Sequence, residues 1–512
     1  MKRLDVLLLS AIGISLGISF GVFFSAYAFD GMVMICLLGI AFGFSFFGRP
    51  FFVSFIVLLI SLLLGLFFGN REFQYWERLD EPKETIRGIS VVTSGSREKA
   101  FFHESEIRME DCEGDFCPKE KILLRKSESN ERMIGDRLVF VCDLKKPEEY
   151  IEIAGREVAY RMMLATRGIG YLCERPISTE SLNPNEDWHL RLMRALFSVK
   201  ERFIIGLERS LPSSEAALSL GMLIGFDDGF SNVEKDIFIR SGVTHVTAVS
   251  GYNITLVGGL LFFLAIVFGW YRREASLFAI IGIAFYVMLV GAPASAVRAG
   301  IMGALLLSTL SIGRPGSAFR IWIIALACML IWNPLLIRYD IGFELSYLAT
   351  LALLLYASVR DRLWMPRNIV ARFFYELLLL SLFVEWLVVP VILLQFGTFS
   401  VVSIIANVFL VPLVPIIMFF AFLSGLVGVV IPGGVFFLAW PNFFFAHLFL
   451  VGAEFFSGLP MSFLSNLTIS PWWVALWYMV TGYLFLIFSN SGETPVNTGV
   501  SPLFEKKVRY NK

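Results

Sequence analysis

The sequence predicts a polytopic α-helical membrane protein with an inserted extracellular β domain. Its 512 residues are 56% hydrophobic and only 17% charged, whereas about a quarter of the residues of a soluble chain are charged. Long apolar runs account for the difference, since a membrane helix needs about 20 apolar residues to cross the hydrocarbon. A single long polar stretch, at about residues 70–185, interrupts these runs.

We expect roughly ten to twelve membrane spans from the number and length of the apolar runs. The clearest runs are Val6–Phe29, Met32–Phe47, Phe51–Phe68, Ile254–Trp270, Leu277–Val290, Leu377–Leu394 and Val474–Phe488, with others between Ala296 and Trp332, between Leu345 and Tyr356, and between Ser403 and Phe456. The predicted parts are N-terminal transmembrane helices at 1–69, the β domain at 70–185, a transmembrane core with amphipathic interfacial helices at 186–490, and a C-terminal tail at 491–512.

Basic residues predict how the N-terminal apolar segments are oriented across the membrane. Lys2 and Arg3 precede the first apolar run, and Arg49 separates the second from the third. Because short cytoplasmic loops carry an excess of lysine and arginine, three crossings place the polar domain outside. The sequence does not decide on which side of the membrane the C-terminal tail lies, since one span more or fewer near the end of the chain would place the tail on the other side.

Short runs rich in branched apolar residues predict β-structure in the polar domain. Ile89–Val92, Lys121–Leu124 and Leu138–Val141 are bounded by Gly, Ser, Asn and Asp. This rhythm of strands and turns is typical of a small barrel or sandwich, and a domain of about a hundred residues suits a five-stranded barrel.

Four of the six cysteines lie in this domain, and an oxidising compartment would favour their pairing. Four cysteines allow three connectivities, of which we expect Cys112–Cys117 and Cys142–Cys173, because the first two are near in sequence. A zinc site is the alternative. The gap between Cys112 and Cys117 is as long as the loosest usual ligand spacing, and no second tight pair exists.

Helical periodicity follows the polar domain. Apolar residues recur every three or four positions from Trp188 to Leu207 with basic residues between them, which is typical of a helix in the membrane interface or packed on the core. A second helix is predicted to begin at Ser231, with Glu234 completing a capping box, and to end at Gly242. A stripe of small residues in the first apolar run indicates a helix-packing face: Gly13, Gly17 and Gly21.

Polar side chains in apolar surroundings are the candidate functional residues, since each is costly there and tends to mark a pathway. They are Arg298, Asp340, Glu344, Glu385, Asn407, Ser250, Asn253 and His245. Arg298 either pairs with a carboxylate and holds helices together, or contacts a substrate along a conduction path. The Ser250-Gly251 pair permits an irregular turn, which at membrane depth occurs only beside protein or a water-filled cavity.

We expect no enzyme activity, no metal and no cofactor. A nucleophile and base at Ser250 and His245 would need an acidic partner and a Gly-x-Ser-x-Gly turn, and neither is apparent. The four histidines form no tight cluster of the kind that hydrolytic metal sites use: His103, His189, His245 and His447. The net charge of zero argues against a bulk binder of polyelectrolytes.

Four motifs in the apolar part resemble those of the ComEC competence family, in the family's order. They are GVTHVTAVSGYNI at Gly242–Ile254 (family "HLLAVSGLHV"), SAVRA at Ser295–Ala299 ("SAxRA"), DIGFELSYLA at Asp340–Ala349 ("DxGFQLSFLA"), and the run of Pro390, Phe396, Gly397, Ser403, Asn407 and Pro412 ("P…FG…S…N…P"). In the polar domain, Gly135–Leu138, Tyr160 and Gly168–Gly170 resemble the family's OB-like module. The resemblance therefore implies that the inserted β domain is an OB-like barrel.

The sequence departs from the family pattern in three places. Asn253 stands where the family usually has a histidine, and Glu344 where it usually has a glutamine. Many members also carry a C-terminal metallo-β-lactamase-like domain proposed as a nuclease. The sequence ends after its last apolar run, so we expect a form without that domain and a separate nuclease as partner.

The resemblance implies a channel that translocates single-stranded DNA across the bacterial cytoplasmic (inner) membrane during natural transformation. It also implies competence proteins such as a DNA receptor and a cytoplasmic helicase as partners. The OB-like domain would bind single strands through stacking aromatic rings and a cationic groove, with these candidate contacts: Phe101, Phe102, Lys121, Arg125, Lys126, Arg137 and Tyr160. The alternatives are a secondary transporter, an exporter of lipid-linked precursors, or a membrane enzyme built around Ser250.

Overall fold

Helices make up most of the chain, and the strands are concentrated between the second and the fourth helix. The computed structural model describes residues 6–23, 49–82, 85–93, 97–99, 102–113, 116–126, 134–153, 156–174, 176, 178–182, 188–225, 229–247, 249–312, 317–430 and 436–490. The chain divides into two units. Unit 1 comprises Met1–Gly206 with Ile323–Glu344, and unit 2 comprises Leu207–Trp322 with Leu345–Lys512.

Unit 1 begins with two helices, α1 (Val6–Phe23) and α2 (Arg49–Glu77), packed through glycines. A Cβ on any of four glycines would collide with the backbone of the other helix: Gly13, Gly17, Gly65 and Gly69. The predicted packing face is therefore confirmed at Gly13 and Gly17, where small residues let two backbones approach closely. Helix α2 continues past residue 69 to Glu77, and the Met32–Phe47 run lies outside the described residues.

The polar stretch folds around one seven-stranded sheet. Its strands are β1 (Thr85–Val92), β2 (Arg97–Lys99), β3 (Phe102–Glu113), β4 (Lys121–Lys126), β5 (Arg137–Asp143), β8 (Ile169–Cys173) and β9 (Ser178–Leu182), while β6 (Ile151–Ile153) and β7 (Arg156–Val158) form a separate pair and α3 (Tyr160–Ala165) precedes β8. The order is β8-β4-β3-β1-β5-β9, with β2 on β3. Among the strands that the structure describes, only β4 and β8 pair in parallel. The three runs predicted as strands lie in β1, β4 and β5 and are confirmed.

This order is an open path, and the described strands form no closed barrel. The predicted five-stranded barrel is therefore not confirmed. Strand β9 pairs along the edge of β5 that does not face β1, so it occupies backbone groups that barrel closure would need. Beyond β5, a single antiparallel bridge joins Lys145 to Leu172 of β8 through two backbone hydrogen bonds of 2.9 and 2.8 Å.

Two disulfides reinforce the sheet: Cys112–Cys117 and Cys142–Cys173. The second joins β5 to β8 and lies inside the domain core with Ile107, Ile122 and Tyr171. The first closes the connection from β3 to β4. The structure thus pairs the four cysteines as we expect from the sequence.

Peptide mapping without reductant should find both disulfides in the full-length protein, because their cysteines lie within bonding distance and an oxidising compartment would preserve the bonds. The internal control is Cys328, which is free in the structure and should react with a thiol reagent after denaturation. Four reactive thiols in the β domain would contradict both the pairing and the placement of this domain outside.

The helices after the β domain range in length from 4 to 27 residues. They are α4 (Trp188–Glu208), α5 (Ser213–Ile224), α6 (Asn232–Ser241), α7 (Thr244–Thr247), α8 (Gly251–Val267), α9 (Arg272–Val290), α10 (Ala294–Ser311), α11 (Ala318–Trp332), α12 (Leu336–Tyr339), α13 (Ile341–Val359), α14 (Ile369–Gln395), α15 (Ser403–Leu410), α16 (Val414–Val430), α17 (Phe436–Ser457) and α18 (Pro471–Asn490), with a strand pair β10 (Phe399–Ser400) and β11 (Phe463–Leu464). The start and end predicted for α6 are confirmed. Ser231 and Glu234 form its capping box, and Gly242 ends it in a left-handed conformation.

Five segments of the described chain are long and apolar enough to cross a membrane: Arg272–Val290, Ala294–Ser311, Ile341–Arg362, Ile369–Gln395 and Ser403–Val427. Four further apolar helices are shorter: Leu8–Phe20, Ser213–Ile224, Gly251–Val267 and Ala318–Trp332. The count differs from the roughly ten to twelve spans expected from apolar length. Several apolar runs form helices of fewer than 18 residues, and one run lies outside the described residues.

Helix α14 contains Pro390, which lacks the N–H that would bond to the carbonyl of Trp386 one turn earlier. Helix α18 supplies the replacement donor. The indole N–H of Trp477 donates to the Trp386 carbonyl at 3.0 Å, and the Tyr478 hydroxyl donates to the Leu387 carbonyl at 2.7 Å. At membrane depth an unpaired carbonyl is costly, so the proline couples α14 to α18.

A double-mutant cycle should detect this coupling. Trp477→Phe should lower the midpoint of thermal unfolding in detergent, since it leaves the Trp386 carbonyl unpaired at a cost of about 1–3 kcal/mol. In a Pro390→Ala background, the introduced alanine restores the N–H within α14, so Trp477→Phe should cost clearly less. If Trp477→Phe lowers the unfolding midpoint equally in both backgrounds, the indole does not compensate for the hydrogen bond that Pro390 removes from the Trp386 carbonyl.

Candidate functional site

Helix α5 is the most buried helix of unit 2. Every residue from Glu215 to Ile224 is buried, although a 12-residue helix is too short to span a bilayer. Helix α17 pairs with two of its polar side chains. His447 Nδ1 lies 2.9 Å from Glu215 Oε1, and Asn442 Nδ2 donates to Ser219 Oγ at 3.1 Å.

The C-terminal end of α5 lies where α8 and α9 meet. Gly225 ends the helix at φ +70°, and carbonyls of its last turn accept side-chain hydrogen bonds. Asn253 Nδ2 donates to the Met222 carbonyl at 2.6 Å, and the Tyr286 hydroxyl donates to the Leu223 carbonyl at 2.5 Å. These contacts satisfy carbonyls that a helix end leaves without an intrahelical partner.

Ser250 and Ser295 complete this junction. The Ser250 hydroxyl donates to Asn253 Oδ1 at 3.1 Å, and the Ser295 hydroxyl donates to the Val249 carbonyl at 3.1 Å. His245 lies exposed on α7, and the Ser250 hydroxyl donates to an amide oxygen instead of to an imidazole. Ser250, Asn253 and Ser295 thus hold together the ends of α5, α8 and α10. We name them the helix-end junction.

Arg298 lies on α10, one turn after Ser295, and is only 7% exposed. Its Nη1 donates to the hydroxyl of Thr350 and lies 3.8 Å from Met302 Sδ. Its guanidinium carbon lies 5.7 Å from the centre of the Tyr347 ring. Nε has no hydrogen-bond partner in the described part of the chain, and no described carboxylate of unit 2 forms an ion pair with this side chain.

The other intramembrane candidates lie in three further places. The Glu385 carboxyl of α14 lies within hydrogen-bonding reach of Ser403. Asn407 Oδ1 on α15 is buried without a partner among the described residues. Asp340 accepts a hydrogen bond from the Phe343 N–H at 2.8 Å and so caps α13, with Glu344 one turn later on the same helix.

Most of the candidate DNA contacts of the β domain are bound to neighbouring side chains. Lys121 pairs with Glu106 at 2.9 Å, and Arg137 pairs with Glu110 at 2.7 Å. Arg125 pairs with Glu104 at 3.0 Å and also donates to the Tyr160 hydroxyl at 2.8 Å. Phe101 lies outside the described residues, as do the side chains of Phe102 and Lys126. The described cations are therefore already neutralised by carboxylates.

Sequence reasoning missed the polar residues of α5 and α17: Glu215, Ser219, Asn442 and His447. One signal was available. Glu215 and Ser219 lie four residues apart between Pro212 and Gly225, so they share one face of a short helix. Their partners lie more than 200 positions later in the sequence and could not be assigned to them from spacing.

Comparison with known proteins finds a family model and a curated relative. The family model described as "Competence protein" matches residues 222–490. ComE operon protein 3 of Bacillus subtilis (strain 168) is 27% identical over 211 residues, which cover 40% of this chain and 26% of that protein. The matched region thus spans about a quarter of the length of that relative. No solved structure matches the chain.

The long apolar helices and the buried polar junction between them define a multi-pass α-helical membrane protein. Within that class, the chain belongs to the Competence protein family, whose model covers more than half of it.

The amide of Asn253 should contribute more to stability than the hydroxyl of Ser250. Asn253→Ala leaves the buried Met222 carbonyl without a partner and should cost about 1–3 kcal/mol. Ser250→Ala removes only a donor to the amide oxygen and should cost less. Thermal unfolding of the two purified variants measures the difference. A larger loss for Ser250→Ala would contradict the assignment of Asn253 as the residue that satisfies the end of α5.

Acid should weaken the β domain through Glu106. Burial acts to raise the pKa of this carboxyl, but Lys121 and Arg167 outweigh it and hold the pKa below its usual value of 4.5. A carboxyl whose pKa is lower in the folded than in the unfolded state stabilises the fold at pH values above its unfolded-state pKa. This stabilisation is lost as the pH falls through its folded-state pKa. The temperature midpoint of unfolding of the full chain should therefore decrease when the pH is lowered below about 4.5. The midpoint of the Glu106→Gln variant should depend less on pH in this range. An unchanged pH profile in Glu106→Gln would refute the assignment.

Proposed function

We propose that this chain forms a channel that moves single-stranded DNA across the cytoplasmic membrane during natural transformation. The observation that carries the proposal is the Competence protein match at 222–490, which includes α8, α10 and the residues of the helix-end junction. The name of the curated relative, a protein of the ComE operon, agrees with a role in competence.

The helix-end junction supports a conduction path. Helix ends carry unpaired polar groups, and such ends are tolerated at membrane depth only beside protein or a wet cavity. Here α5 ends, and α8 and α10 begin, within one cluster joined by Asn253 and Ser295. The buried side chain of Arg298, one turn after Ser295 on α10, adds a positive charge beside this cluster. The phosphodiester backbone of DNA carries the negative charge that would interact with it.

We propose that the β domain is an OB-like module outside the membrane that receives DNA. Strands β1, β3 and β4 pair in succession, β8 pairs in parallel with β4, and β5 pairs with β1. With the bridge from Lys145 to β8, this order is typical of a partly open five-stranded barrel. The two disulfides support an oxidising location. Because its described candidate cations, Lys121, Arg125 and Arg137, are paired with carboxylates, the domain would guide DNA with weak affinity.

We further propose that the chain is not a nuclease, and that a separate polypeptide degrades the strand that is not transported. A DNA receptor and a cytoplasmic helicase are the proposed partners. Purified protein should leave labelled DNA intact with or without added divalent ions. Degradation that copurifies with this chain, and is lost on substitution of its own residues, would overturn this part of the proposal.

Deletion of the gene should abolish uptake of DNA into the cytoplasm by a transformable host, and expression of the chain in trans should restore it. DNA bound at the cell surface should persist in the deletion strain, because only the crossing step is removed. Normal transformation of the deletion strain would overturn the proposed function.

Arg298→Gln tests the proposed path at one residue. It should leave protein abundance near normal and abolish DNA uptake, because the positive charge facing the path is lost. Arg298→Lys keeps the charge but loses the planar fork and should retain part of the uptake. The matched control is Arg273→Gln at the exposed start of α9, which should change neither quantity. Normal uptake by a well-expressed Arg298→Gln protein would end this assignment, whereas low abundance would indicate a role in assembly.

A further inference from the structure

Two positively polarised groups face each other at the start of α8. A helix N-terminus carries unpaired N–H groups and a partial positive charge. A Cβ built on Gly251, the first residue of α8, would lie 2.6 Å from Arg298 Nη2. The guanidinium therefore lies directly against the first turn of the helix. In a buried setting this arrangement is unfavourable unless an anion accompanies it.

The first turn of α8 also lacks its usual cap. Ser250 is the N-cap residue, but its side chain accepts no hydrogen bond from the helix. Its hydroxyl is directed to Asn253 Oδ1 instead. The first-turn N–H groups at Gly251 and Tyr252 thus have no side-chain acceptor in the described structure, although serine is among the best residues for that role.

Arg298 supplies an independent observation. The residue is more than nine-tenths buried, and its Nε has no partner among the described residues. Thr350 holds Nη1 in place, and the Tyr347 ring lies beside the guanidinium. The fork is therefore fixed by the protein on one side, while part of its hydrogen-bonding capacity is unused.

We infer that Gly251, Tyr252 and Arg298 form a binding site for a phosphate oxyanion, which in the proposed function is a phosphodiester group of single-stranded DNA. The first-turn N–H groups of α8 and the guanidinium would donate to the same phosphate. Helix N-termini and arginine forks both suit this ligand. Gly251 is part of the site because a side chain there would displace the guanidinium. The choice of DNA as the source of the phosphate rests on the proposed function, whereas the site itself does not.

The protein offers a matched pair of glycines for the test. A Cβ on Gly251 meets the guanidinium at the far end of the Arg298 side chain, whereas a Cβ on Gly259, on the same helix, meets nothing within 4 Å. Both changes to alanine should therefore preserve the fold, and only Gly251→Ala should disturb the site.

The first measurement is the shift in unfolding midpoint that inorganic phosphate causes, relative to chloride at equal ionic strength, with full-length protein in nanodiscs of phosphatidylcholine. Wild type and Gly259→Ala should be stabilised by phosphate. Gly251→Ala and Arg298→Gln should need at least about tenfold more phosphate for the same shift, as expected for the loss of a charge-assisted hydrogen bond. No phosphate-dependent shift in the wild type, or equal shifts in all four proteins, would overturn the site.

The second measurement is binding of a fluorescent oligothymidylate to the same four nanodisc samples. Binding that is weakened by Gly251→Ala, unchanged by Gly259→Ala and competed by inorganic phosphate would support DNA as the source. If phosphate stabilises the wild type but the oligonucleotide does not bind, the site stands and the proposed function fails. If phosphatidylglycerol nanodiscs abolish the effect of phosphate, a lipid headgroup occupies the site and the assignment to DNA is wrong.

Discussion

A short helix buried on all sides must find partners for its polar groups, and unit 2 is organised around this constraint at α5. The helix carries Glu215 and Ser219 on one face and ends at Gly225 with carbonyls that need partners from outside the helix. Burial of an unpaired polar group costs several kcal/mol in an apolar medium. Helices α17, α8 and α9 each contribute a polar side chain to it, so three helices that are distant in sequence are fixed against one another through α5.

The same constraint explains the motif residues. In SAVRA, Ser295 satisfies the Val249 carbonyl, Ala296 and Ala299 are buried small residues that allow close packing, and Arg298 reaches the start of α8. In the segment that begins at Asp340, the aspartate caps α13. Near Ser403, Ser400 donates to the Arg240 carbonyl at the end of α6 at 2.7 Å, so the segment that carries the fourth motif also closes a helix end. Several motif segments therefore satisfy helix termini, whereas Arg298 Nε and Asn407 Oδ1 are buried without a partner among the described residues.

The parts that depend on local patterns could be predicted from the sequence. Apolar length located the membrane helices, alternation of strands and turns located β1, β4 and β5, and the capping box at Ser231 located α6. The number of spans could not be predicted, because hydropathy does not reveal where an apolar stretch divides into separate helices, as the one between Ser403 and Phe456 does into α15, α16 and α17. The strand order could not be predicted because it depends on where β9 pairs. The pairing of Lys121, Arg125 and Arg137 with carboxylates depends on the register between strands, which the sequence does not reveal. Glu215 and His447 meet only through tertiary packing.

The accessibility of the helix-end junction to water tests whether the junction lies along a path for DNA, as proposed. Its most direct measurement is the reaction of a Ser295→Cys variant, with Cys36 and Cys328 replaced by serine, toward a charged methanethiosulfonate reagent in cells. The introduced thiol should react from the aqueous phase, and the reaction should slow during DNA uptake, whereas a thiol introduced by Leu310→Cys, at the exposed apolar end of the same helix, should not react. An unreactive thiol in the Ser295→Cys protein, or a rate that DNA does not change, would show that the junction does not line a path for DNA.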